Sequence, residues 1–105
     1  MSRMDDEHEL QGIVFSLIRQ ARLSEKEEWV LAQRFGLNSG SAKRLEEVAA
    51  DFYEKFEVAP VSREQIRRFE ANALRKIRAT MKEDLSEYDW LINSLPHIKL
   101  LKALK

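Results

Sequence analysis

The sequence predicts an all-α fold, a small helical domain carrying a helix-turn-helix, and three observations lead there. Helix-forming Leu, Glu, Lys, Arg and Ala dominate, while the 105 residues include only three glycines and two prolines, leaving little material for β-turns. Apolar residues recur with the 3.6-residue period in several separate stretches. An amphipathic segment, a break at Pro60 and a second, strongly basic amphipathic segment follow one another, the order of a helix-turn-helix. The length suits one compact domain with or without a tail, and 44% hydrophobic residues is ordinary for a globular chain.

The elements follow in order. Leu10, Ile13, Val14, Leu17, Ile18 and Ala21 mark the apolar stripe of a first helix, with Asp5, Asp6, Glu7 and Glu9 near its positive N-terminal dipole. Ser24 and Glu27 form a capping box that opens a second helix, and Gly36 is placed to end it. Asn38–Ser41 is the clearest loop. A third helix carries Leu45, Val48, Ala49, Phe52 and Phe56 on one face, and Val58-Ala-Pro60-Val61 breaks it, because proline cannot continue a helix. Ser62 and Gln65 cap a fourth helix over Ser62–Arg78, whose stripe is Ile66, Phe69, Ala73, Leu74 and Ile77. A last amphipathic region, Leu85–Leu104, contains Tyr88, Trp90, Leu91, Ile92 and Leu95 and is interrupted at Pro96. The expected division is a helix-turn-helix domain over residues 1–82 and a C-terminal helical extension over 83–105.

Net charge is zero, but its distribution is uneven. Residues 1–57 hold eight basic and twelve acidic side chains, residues 58–82 seven and two, and residues 83–105 three and four. The middle segment therefore concentrates positive charge, as a face meeting an anion requires. A capped helix with arginines in its first turns and a packed back face is shaped to enter a DNA major groove. An ordinary helical bundle with a solvated basic stripe would have the same periodicity.

Other chemistry finds little support. Without cysteine there is no disulfide or thiolate metal site, and His8 and His97 are far apart in sequence. No Gly-rich phosphate loop is present, and Glu46-Glu47 reads as a helix N-terminal pair rather than a catalytic dyad. The expectation is therefore no enzyme, no cofactor and no metal. The acidic amino terminus does not read as a secretory signal, and no apolar run approaches the roughly 20 residues of a membrane span, so a cytoplasmic protein without membrane partners is expected.

Residue identity goes further than pattern. The stretches Leu23-Ser-Glu-Lys-Glu-Glu-Trp-Val-Leu-Ala-Gln-Arg-Phe-Gly-Leu37, Arg44-Leu-Glu-Glu-Val-Ala49 and Ser62-Arg-Glu-Gln-Ile-Arg-Arg-Phe-Glu-Ala-Asn-Ala-Leu-Arg-Lys-Ile-Arg78 closely resemble, in the right order, region four of housekeeping bacterial sigma factors. The resemblance covers roughly residues 9–80. It implies a transcription regulator whose recognition helix reads −35-like promoter DNA and whose other surfaces dock on the flap of the RNA polymerase β-subunit. Carried over by position, Arg63, Glu64 and Arg68 would read base edges, while Arg67, Lys26 and Arg34 would bind phosphate. The side-chain chemistry suits those roles: arginine donates to guanine O6 and N7, glutamate accepts from cytosine N4, and phosphate contacts position without specifying.

The chain also departs from the family. Arg68 stands where glutamine is usual and cannot make glutamine's paired contact with adenine, so a consensus −35 preference does not follow. Arg44 replaces a Thr or Ser cap, and Asn72 a lysine that often meets activators. The stretch between Val48 and Arg63 is about seven residues longer than the family's, which predicts a longer third helix and a longer turn. Nothing in the sequence resembles the sigma domains that bind the −10 element or the polymerase coiled coil, so the resemblance is to region four alone.

Partner surfaces complete the expectations. Trp29 lies nearly opposite Leu31 on the second helix and is either a partner contact or a half-buried tryptophan. Trp90, Leu91 and Leu95 either pack back on the domain, form a homodimer or bind polymerase. A second functional class stays open beside DNA reading: a sigma-mimicking interaction module that occupies polymerase or captures an anti-sigma factor without sequence-specific readout.

Overall fold

The computed structural model describes residues 3–37, 41–81, 100, 103 and 104. Among the described residues four helices are defined: α1 (Arg3–Ala21), α2 (Glu25–Phe35), α3 (Leu45–Phe56) and α4 (Arg63–Thr80). The fold is all-α, and among the described residues there is no strand. α4 is the hub and packs on each of the other three.

The helix ends form where local chemistry sets them. Ser24 accepts from the Glu27 amide at 3.1 Å while the Glu27 carboxylate accepts from the Ser24 amide at 2.9 Å, closing the first capping box. Gly36 ends α2 in the left-handed region at φ 65°, donating its amide to the Ala32 carbonyl. A side chain there would be strained, since a Cβ would also lie 2.6 Å from the backbone carbon of Ser41. α3 starts without a polar cap: Arg44 offers no acceptor, and only the reciprocal half of a box forms, with Glu47 accepting from the Arg44 amide at 3.3 Å. Glu57, at φ 51°, closes α3 by donating its amide to the Tyr53 carbonyl at 3.0 Å. Six residues, 57–62, then lead to α4, where Ser62 and Gln65 form the second complete box.

Two apolar clusters divide the core along α4. Its first half supplies Ile66 to a cluster with Val30 of α2 and Val48 and Phe52 of α3. Phe52 is 1% exposed and gathers the aromatic rings, with Trp29 edge-on at 5.9 Å, Phe56 tilted at 4.7 Å and Phe69 stacked at 5.4 Å. The second half of α4 supplies Ala73 and Ile77 to a cluster with Val14, Leu17 and Ile18 of α1 and Leu31 of α2. Leu100 and Leu104 belong to this second cluster, and the Ala103 carbonyl accepts from Arg78 at 2.7 Å. The described end of the C-terminal segment thus packs into the core that α1 builds. The expected Asn38–Ser41 loop lies mostly outside the described residues, as do Trp90, Leu91 and Leu95.

α3, the connection 57–62 and α4 make the helix-turn-helix. The aromatic cluster packs α3 against α4, with Phe52 buried and Phe56 partly buried on the face of α3 that meets it.

Candidate nucleic-acid interface

Burial of Ile66, Ala73 and Ile77 sets which side of α4 meets water. Glu64, Arg68 and Arg75, at i, i+4 and i+11, share the face opposite that stripe, and all three are exposed. Arg63 and Arg67, four residues apart, lie together on a flank of the same helix and are 61% and 60% exposed. All four residues at the start of α4 that the resemblance singles out are therefore solvent-accessible. Glu64 and Arg68 lead, with Arg63 and Arg67 beside them.

Ion pairing separates these arginines. The Arg63 Nε lies 3.2 Å from a carboxylate oxygen of Glu46, the second residue of α3. Arg67 lies 3.7 Å from Glu64 within the first turns of α4. Among the described residues Arg68 has no carboxylate within ion-pair distance; Gln65, Phe69 and Asn72 surround it in a shallow depression. Arg75 donates to Asn72 at 3.3 Å. Among the described residues Arg68 is thus the least committed basic group at the head of the helix.

The two basic residues of α2 differ. Lys26 is exposed, its ammonium 6.0 Å from the centre of the Phe56 ring. Arg34 is only 26% exposed and is held from two sides: its Nη1 donates to the Lys43 carbonyl at 2.6 Å, and its Nε lies 3.4 Å from Glu70. A group so held braces the α2–α3 connection against α4, and its approach to a phosphate requires giving up those contacts.

Sequence reasoning missed the carboxylate that ties α2 to α4. Glu27 completes its capping box and also accepts from the Lys76 ammonium at 2.6 Å, with its side chain 7% exposed. Burial pushes its carboxyl up, but the Lys76 ammonium and the Ser24 amide and hydroxyl outweigh that and hold it below the ordinary glutamate range. The box was visible at spacing three; the partner 49 residues away was not. At the start of α3, the Arg44 amide and then its guanidinium likewise hold the Glu47 carboxyl low.

Trp29 is half-buried, edge-on to both Phe52 and Phe56 at 5.9 and 5.6 Å. Its remaining surface lines a groove of about 340 Å³ between α1 and α2 with Phe15, Ile18 and Leu37, rimmed by Glu25, Glu28 and Lys55. Phe15 in this groove is 47% exposed. Among the described residues no group of three or more His, Asp or Glu side chains is gathered to hold a metal, and no helix is long and apolar enough to cross a membrane.

No family model matches the chain. Among curated proteins, it is 50% identical over 56 residues to the RNA polymerase sigma factor SigA of Clostridium acetobutylicum, and equally so over 56 residues to the RNA polymerase sigma factor SigA of a Bacillus species. Each match spans 53% of this chain and 13% of the relative, so the likeness is to a limited part of those proteins. About half of this all-α chain is a sigma-factor-like segment.

Proposed function

We propose that this chain is a transcription regulator built on sigma region four, docking on the flap of the bacterial RNA polymerase β-subunit and contacting −35-like promoter DNA through α4. The observation that carries the reading is the exposed head of α4. Arg63, Glu64, Arg67 and Arg68 stand in water at the capped start of a helix whose back is locked into the core. In this reading Arg63, Glu64 and Arg68 read bases, and Arg67 and Lys26 bind phosphate. Arg34 contributes only after leaving Glu70. Helix N-terminal amides add a modest positive potential at the same end. The groove at Phe15 and Trp29 supplies the apolar surface for the flap. No step is catalytic, and the protein acts by holding polymerase and DNA together.

The alternative, a sigma-mimicking module that engages polymerase or an anti-sigma factor without reading DNA, is favoured by one observation. Arg63 and Arg67 already have carboxylate partners within the chain. Homodimerisation through the C-terminal extension is less supported, because Leu100 and Leu104 are spent on the domain's own core.

Fluorescence anisotropy on promoter duplexes, at two salt concentrations and with and without purified flap fragment, tests the proposal. The expected result is weak, strongly salt-dependent binding to duplex alone, tightened by the flap fragment. Flap binding with no DNA binding under any condition favours the mimic. Binding to neither overturns both readings.

A further inference from the structure

Of the three arginines in the first two turns of α4, Arg63 alone has a partner on another helix among the described residues. That partner, Glu46, sits on the first turn of α3, where the helix amides favour a carboxylate. The 3.2 Å pair crosses the mouth of the helix-turn-helix, and each side chain is more than half exposed. Pairs this exposed add little to folding. Their effect on an approaching polyanion is larger, because a carboxylate so close to the guanidinium is well within one Debye length of any phosphate that Arg63 reaches.

We propose that Glu46 is a built-in competitor for Arg63 that lowers affinity for duplex DNA, and for sequence-independent backbone contacts most of all. The inference rests on the reading of α4 as a DNA-binding helix. In the free protein Glu46 occupies Arg63 as a phosphate would. On binding, Arg63 exchanges that carboxylate for a DNA acceptor or shares it. A phosphate entering the same space meets the charge of Glu46 directly, whereas the uncharged edge of a guanine does so far less. The pair therefore penalises non-specific backbone engagement more than base readout, a repulsive element that sharpens selection. The neighbouring Glu47 carries the same charge but pairs with Arg44 at 3.2 Å, so it serves as an internal control.

The test is anisotropy of a labelled mixed-sequence duplex with the full chain at two potassium chloride concentrations. The proteins are wild type, Glu46→Gln, Glu47→Gln, Arg63→Ala, Arg68→Ala and the Glu46→Gln/Arg63→Ala double variant, each checked for an unchanged helical spectrum. Glu46→Gln is expected to bind about two- to fivefold more tightly, with a log–log salt slope steeper by about one. That gain should vanish in the Arg63→Ala background and exceed the gain from Glu47→Gln. Equal gains for Glu46→Gln and Glu47→Gln, or a gain that survives Arg63→Ala, would overturn the competition and leave only net charge. No gain from Glu46→Gln while Arg68→Ala weakens binding overturns this inference and leaves the DNA reading intact. If neither Arg63→Ala nor Arg68→Ala changes binding, the DNA reading itself fails and takes this inference with it.

Discussion

Glu27→Gln tests the link between α2 and α4 most sharply. The substitution keeps the shape and an oxygen able to accept from the Ser24 amide, but it removes the charge that holds Lys76 at 2.6 Å. Breaking a fully buried pair costs about 3–5 kcal/mol because the surviving charge is stranded. Here Lys76 is 41% exposed and stays hydrated, so that full penalty does not apply. What remains is weaker charge assistance at the cap, a weaker dipole interaction and the lost pair, together about 2 kcal/mol. For a domain of this size that lowers Tm by about 10 °C. The sign with pH follows from the depressed carboxyl. The folded value lies below the ordinary 4.5, so the contribution is fully present above 4.5 and is lost as pH falls through the folded value. Thermal melts followed by circular dichroism should show the wild type losing its advantage over Glu27→Gln as pH drops below that range. Equal melting temperatures at pH 7, or a gap that persists unchanged into acid, would refute the role assigned to this pair.

Two further outcomes probe the frame. Leu100→Ala should destabilise by about 2–4 kcal/mol in denaturant titrations, since Leu100 is 1% exposed within the α1–α4 cluster, whereas an unpacked C-terminal segment would give a change within about 0.5 kcal/mol. Gly36→Ala should lower Tm by several degrees, about 1 kcal/mol for the left-handed φ alone and more for the approach to Ser41, and an unchanged Tm would mean that the α2 terminus adopts another conformation.

These residues also show which features the sequence made legible. Both capping boxes, the Gly36 terminus and the apolar stripe of α4 were readable because each depends on spacings of a few residues, and the structure has all of them. The apolar face of α3 was readable because Phe52 and Phe56 continue the stripe begun by Leu45 and Val48. The start of α3 was half readable. Arg44 gives no cap, but Glu47 still satisfies its amide, a substitute that spacing three would have revealed. The pairings Glu27–Lys76, Arg34–Glu70 and Arg63–Glu46 were not readable, because each joins different helices and depends on how the helices are set against one another. They bear directly on the candidate site. Position alone made Arg34 a phosphate contact and Arg68 a base reader, yet Arg34 is braced by Lys43 and Glu70, while Arg68 has no carboxylate within ion-pair distance among the described residues.

Whether the head of α4 reads DNA is decided by comparing Arg68→Ala with Arg67→Ala on duplexes differing by single base pairs in a −35-like element, with the flap fragment present. Arg68→Ala should flatten the preference at one position, removing about 1–3 kcal/mol of discrimination there. Arg67→Ala should weaken all duplexes alike and lower the salt slope by about one. Identical binding of all duplexes by the wild type, unaltered by either substitution, would contradict the account and leave α4 as a solvated face of an interaction module.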